Sequence, residues 1–208
     1  MNKIILSLFF LLATTFSFAQ SYYSYPEKNI SLGLSFDPNI SWLSYGDNHN
    51  KSVDSKFGYS YGLVADLGFA RNYYFSTGLS ISTLNSFVYD ESIANSGKDI
   101  RLQYAEVPLS IKLKTNGSSV GRFYGLFGFT AGVKVSGKEK LENSDQYQAI
   151  SGDDIFRLGL QIGTGGEFRI GNSLSFLTGI TYNNGFTRAI KDGSPKTSYV
   201  ALKLGLLF

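Results

Sequence analysis

Along almost the whole chain, large apolar side chains recur at every second position, and the residues between them are small, polar or charged. The last stretch, Ser198 to Phe208, sets the pattern: Val200, Leu202, Leu204, Leu206 and Phe208 alternate with Ala201, Lys203 and Gly205. Successive side chains of a strand point to opposite faces, so such a segment has one apolar face and one that is small or charged. A face built from Gly, Ser, Thr and charges makes a poor packed core. The large face must therefore meet something apolar that lies outside the chain.

Eight segments carry this alternation. The first runs from about Asn29 to Leu43, with Ile30, Leu32, Leu34, Phe36, Ile40 and Trp42 on one face and Ser31, Gly33, Ser35, Asp37, Asn39 and Ser41 on the other. The next four are Lys56 to Phe69, Tyr73 to Tyr89, Ile100 to Lys114 and Phe123 to Ser136. Ile155 to Ile170, Leu174 to Thr187 and the terminal stretch complete the set. Ser44 to Ser55, Asp90 to Asp99, Gly137 to Asp154 and Arg188 to Thr197 read as long polar loops. Ala70-Arg71-Asn72 and Gly171-Asn172-Ser173 read as tight turns, and Thr115 to Arg122, with its Asn116-Gly117, as an intermediate one. Every segment is far longer than the usual strand of about 5 or 6 residues. An even number of long strands joined alternately by long and short connections predicts an all-β fold, an eight-stranded antiparallel up-and-down transmembrane β-barrel. Short turns and both termini are then expected on the periplasmic side, with the long loops extracellular.

Composition fits this expectation. The chain has 23 Gly, 15% aromatics and only 4 Pro, a strand-and-turn usage. Its mean hydropathy of −0.04 is near zero because lipid-facing and lumen-facing residues average out. With no cysteine, neither disulfides nor a cysteine-linked lipid anchor can be invoked. A net charge of +3 is too small to suggest a nucleic-acid partner. At the start, Lys3, the apolar run Ile4 to Leu12 and the small-residue site Ser17-Phe18-Ala19 read as a signal peptide over 1–19, leaving 20–208 as one barrel domain. The run is too short for the roughly 20 apolar residues of a membrane-spanning helix.

The segment Tyr104-Ala105-Glu106-Val107-Pro108-Leu109-Ser110-Ile111-Lys112-Leu113-Lys114 resembles the corresponding strand of the PorT-like outer-membrane β-barrel family. Tyr199, Val200, Leu202, Leu204, Leu206 and the terminal Phe208 resemble the signal by which outer-membrane barrels are recognised and inserted. The resemblance implies a Gram-negative cell envelope, with outer-membrane lipid and lipopolysaccharide as surroundings and the barrel-assembly machinery as a partner during insertion. It also implies, through one founding member, an accessory role in a protein-secretion system. Pro108 is expected at a bulge or kink, because a closed barrel has no free edge to hold it.

The alternation places Asp37, Asp66, Glu106 and Glu167 on the inward face together with Lys112, Lys134, Arg157 and Lys203. Isolated charges in a narrow lumen are costly, whereas paired ones are not. Four of each sign predict an ion-pair network that closes the lumen, so the chain is porin-like in architecture only. The expected role is that of a structural or interaction protein whose loops meet an unidentified envelope partner. His49 is the one histidine and raises an alternative, a small lipid-modifying enzyme. It lies beside Asp47 and Asn48, but no serine stands at a set spacing from it, so the chain is read as a non-enzyme without cofactor, and no second His or any Cys completes a metal site. Gly163-Thr164-Gly165-Gly166 lies mid-strand and opens no helix, which favours packing room over a phosphate loop. Trp42, Tyr45, Tyr59, Tyr61, Phe87 and Tyr89 are read as an aromatic girdle near the outer strand ends.

Overall fold

The computed structural model describes residues 30–46, 51–90, 96–118, 120–144, 146–150, 154–171, 173–191 and 193–208. The expected signal peptide and His49 lie outside these residues. Nine strands follow one another: β1 (Ile30–Ser44), β2 (Lys51–Ala70), β3 (Tyr73–Asp90), β4 (Lys98–Lys114), β5 (Gly121–Leu141), β6 (Gln148–Ala149), β7 (Phe156–Arg169), β8 (Ser175–Arg188) and β9 (Lys196–Leu207). Eight of them form the wall. Each pairs antiparallel with its neighbours, β5 pairs directly with β7, and β9 returns to β1, so the sheet closes on itself. β6 is a two-residue strand attached only to the upper part of β5.

The connections alternate in length. Arg71 and Asn72 alone join β2 to β3, and Asn72 adopts a φ of 67°, a left-handed conformation that Asn tolerates better than most residues. Two expected loops are shorter than the sequence suggests. β2 begins at Lys51 and β5 runs on to Leu141, because Lys51 pairs with Asp90 and Leu141 with Lys98 beyond the level where β1 and β7 have ended.

The faces follow the alternation. On β1, Ile30, Leu32, Leu34, Phe36 and Ile40 are exposed, while Ser31, Ser35, Asp37, Asn39 and Ser41 are buried. On β9, Val200, Leu202, Leu206 and Phe208 are exposed and Leu204 is half-buried, against buried Tyr199, Ala201 and Leu207. Large apolar residues on the outside and serines and carboxylates on the inside suit a wall bathed in lipid.

β4 shows where that lipid ends. Glu106, Ser110, Lys112 and Lys114 point inward, against outward Val107, Leu109, Ile111 and Leu113. Toward the long loops the side chains keep the same alternation but exchange chemistry: Ile100, Leu102 and Tyr104 are buried inside and Arg101 is exposed outside. The outward face of the strand thus changes from apolar to polar between these two stretches. At the same level the ladder to β5 slips by one residue, Gln103 facing Ser136 and Tyr104 facing Lys134. Pro108 does not sit at a bulge. The β3–β4 ladder is interrupted between Ser76↔Ser110 and Ser80↔Glu106 with the register unchanged, so Pro108 occupies a gap in the hydrogen bonding where its missing N–H costs nothing.

Candidate functional site

The barrel interior is filled, and the filling differs along its length. In the half nearest the short turns, Asp66 of β2 accepts from Lys112 Nζ at 2.7 Å, Lys114 Nζ at 2.8 Å and Ser76 Oγ at 2.7 Å. Glu167 of β7 takes Arg122 Nε at 2.8 Å and stands 2.7 Å from Lys114 Nζ. Arg122 also donates to Tyr74 Oη at 3.2 Å. Three cations thus surround two carboxylates, and the imbalance is met by aromatic faces: Lys114 lies 4.1 Å above the Tyr74 ring and Lys112 4.8 Å above that of Tyr124. The ring of Tyr124 is seated by glycine. A Cβ on Gly165 or Gly179 would come within 2.6 Å or 2.5 Å of its hydroxyl, which explains the glycines in the middle of β7 and β8.

At mid-height Lys203 Nζ donates to Asp37 Oδ2 at 2.8 Å across the β1–β9 seam, and Ser35 Oγ adds a bond at 3.2 Å. Further toward the long loops Arg157 Nη1 meets Glu106 Oε1 at 2.5 Å. Its Nη2 donates to Asn183 Oδ1 at 2.6 Å and to the Thr197 carbonyl at 3.1 Å. Ser82 Oγ donates to Glu106 at 2.6 Å, and Tyr104 and Tyr199 bracket the guanidinium. All of these groups are buried except Lys203, which is half-buried. Above this layer Leu43, Leu84, Val88, Ile100, Leu102, Ala189, Ile190 and Tyr199 form an apolar cluster, joined by Tyr45, Val53 and Ile150.

Seven of the eight inward charges named from the alternation meet an opposite charge here. Lys134 does not: it donates to the Ala189 carbonyl and reaches no carboxylate among the described residues. Glu106 and Lys112, close in sequence, belong to different layers and different partners. Sequence reasoning missed Lys114 and Arg122. Lys114 lies two residues beyond Lys112 and Arg122 next to the outward Phe123, so the same alternation was there to place both. The aromatic girdle also needs correction. Tyr45 packs on the inner apolar cluster because β1 ends just before it, and Tyr59 and Tyr61 stack with each other, Tyr59 also with Phe36, near the middle of a β2 that is longer than expected. Trp42 stacks on Tyr182 outside, and Phe87 packs beside Tyr89.

Two interior cavities of about 40 Å³ each flank the Asp37–Lys203 pair, room for a few waters at most. A larger cavity of about 620 Å³ opens at the long-loop end between Tyr45, Val88, Ile100, Ile150 and Ile190. Chemically, the described interior holds its charges in ion pairs, Lys134 excepted.

A family model described as an outer membrane protein beta-barrel domain matches residues 18–191. Among solved structures, the chain is similar to Neisserial surface protein A, at 14% identity and a TM-score of 0.50 over 86% of this chain and 96% of the other. It is also similar to the outer membrane protein OprG from Pseudomonas aeruginosa, at 12% identity and a TM-score of 0.51 over 86% and 94%. These likenesses concern the fold. No curated protein matches the chain.

Proposed function

The chain belongs to the outer-membrane protein β-barrel domain family, and from that premise we propose that it is a non-conducting barrel, not an enzyme, that serves the cell envelope by presenting its long loops to a partner. One observation carries this reading: a lumen crossed by buried, partnered charges and capped by an apolar cluster. A conducting pore would more naturally line an open path with rings of one charge. In the same proposal the short turns face the periplasm and the long loops the exterior, the terminal strand serves insertion by the assembly machinery, and lipopolysaccharide surrounds the outer rim. Kinship with the PorT-like subgroup is a finer proposal, supported by the Tyr104–Lys114 segment alone; a shared genetic neighbourhood with secretion components would test it.

The test of the main reading is electrical. Planar bilayers containing the full chain should show no steady unitary currents. Stable, ion-selective conductance would overturn it and make transport the leading function.

A further inference from the structure

The outside of the wall carries an unbalanced charge pair at the level where its chemistry inverts. Arg101 of β4 and Lys138 of β5 are direct cross-strand partners, and both are exposed. Like charges in this relation destabilise a sheet. The carboxylates of the same hairpin are engaged elsewhere: Asp99 with Lys56, and Glu139 with Lys98 at 3.7 Å. Among the described residues none lies within ion-pairing distance of Arg101 or Lys138. Tyr147 completes the surface, its ring centroid 4.9 Å from the Arg101 guanidinium and its hydroxyl 3.5 Å from Nη2. Just toward the short turns the outward face becomes apolar, with Val107, Val133 and Val135 exposed. A membrane lipid whose chains lie against these valines would bring its headgroup to the paired cations.

We propose that Arg101, Lys138 and the Tyr147 hydroxyl bind a phosphate group of an anionic membrane lipid. Guanidinium and ammonium together match phosphate, the first through two parallel hydrogen bonds and the second as a point charge. Bound phosphate also removes the repulsion that the bare pair suffers. The assignment rests on the outer-membrane reading; with the long loops outward, the lipid is the phosphorylated glycolipid of the outer leaflet.

The full chain, refolded in detergent micelles, would be offered lipid A in its phosphorylated and dephosphorylated forms, and the lipid-bound fraction read by native mass spectrometry. The phosphorylated form should be retained about tenfold better, the size expected for a lost charge-assisted contact. R101Q and K138Q should each remove most of that preference with unchanged heat-modifiable mobility. K196Q, an equal loss of charge on exposed β9, should leave it intact. Should one site variant fail to fold, the other alone decides. Equal retention of both lipids, an equal effect of K196Q, or displacement of the lipid by millimolar inorganic phosphate would each overturn the assignment, the last in favour of a free anion. Conductance tests the plugged lumen separately, so either reading can fail without the other.

Discussion

The two ends of the barrel interior solve the same packing problem with opposite materials. Near the short turns the space is occupied by Asp66, Glu167, Lys112, Lys114 and Arg122, held in mutual ion pairs. Near the long loops it is occupied by Leu43, Leu84, Val88, Ile100 and Leu102. The difference lies in what stands outside the wall. Where lipid covers the exterior, most apolar residues are drawn outward and the interior is left largely to polar groups that satisfy one another, with a smaller apolar cluster of Val64, Tyr124, Leu126, Leu177 and Leu207 beside them. Where water covers the exterior, the apolar residues turn inward and the upper barrel is built like a soluble one. One strand, β4, does both.

The largest effect should come from the charged end. Asp66→Asn leaves Lys112 and Lys114 without their shared carboxylate, and removing one member of a buried ionic group costs about 3 to 5 kcal/mol. Urea unfolding in micelles should show a correspondingly lower midpoint; an unchanged midpoint would mean that this cluster is as dispensable as a surface pair. The apolar end is tested by Leu102→Ala, which opens a cavity in the upper cluster and should cost about 3 kcal/mol. Protease sensitivity should rise at the long loops first. If it rose equally at the short turns, the two ends would form one cooperative unit.

Between them, Glu106→Gln weakens the hold on Arg157 and should cost about 2 kcal/mol, as for other hydrogen bonds to charged groups. Adding Arg157→Met should restore part of that loss in a double-mutant cycle. Smallest is Lys134→Met. Among the described residues this cation hydrogen-bonds the Ala189 carbonyl and has no carboxylate within ion-pairing distance, so its loss should cost about 1 kcal/mol or less, far below the same change at Lys114. Equal effects at Lys114 and Lys134 would erase the distinction between paired and unpaired lumen charges.

The alternation was enough to find the eight wall strands and to turn Asp37, Asp66, Glu106, Arg157 and Glu167 inward, because a period of two fixes faces wherever both media are uniform. It could not say which charges pair. Glu106 meets Arg157 of another strand rather than nearby Lys112, and that choice depends on the stagger around the ring. The upper ends of β2 and β5 look like loops in the sequence because their polarity carries no periodic mark; pairing with β3 and β4 makes them strand. Leu84, Val88 and Leu102 were not assigned to the core for the same reason that β4 inverts: a rule calibrated on lipid gives the wrong interior once the exterior is water.

The pairing of β1 with β9 joins the first described strand to the last. Until that seam forms, the sheet is a ribbon with two open edges, each able to pair with another chain. The wall is therefore all-or-nothing with respect to biosynthesis: a ribosome stalled anywhere before Lys196 releases not a slightly smaller barrel but an unsealed one. Because the Asp37–Lys203 pair and the Phe208 N–H to Leu32 carbonyl bond both straddle this seam, the act of sealing also completes the interior charge pairing. A cell that discards unsealed ribbons would thus select, in one step, for chains that both carry β9 and have completed the Asp37–Lys203 pair.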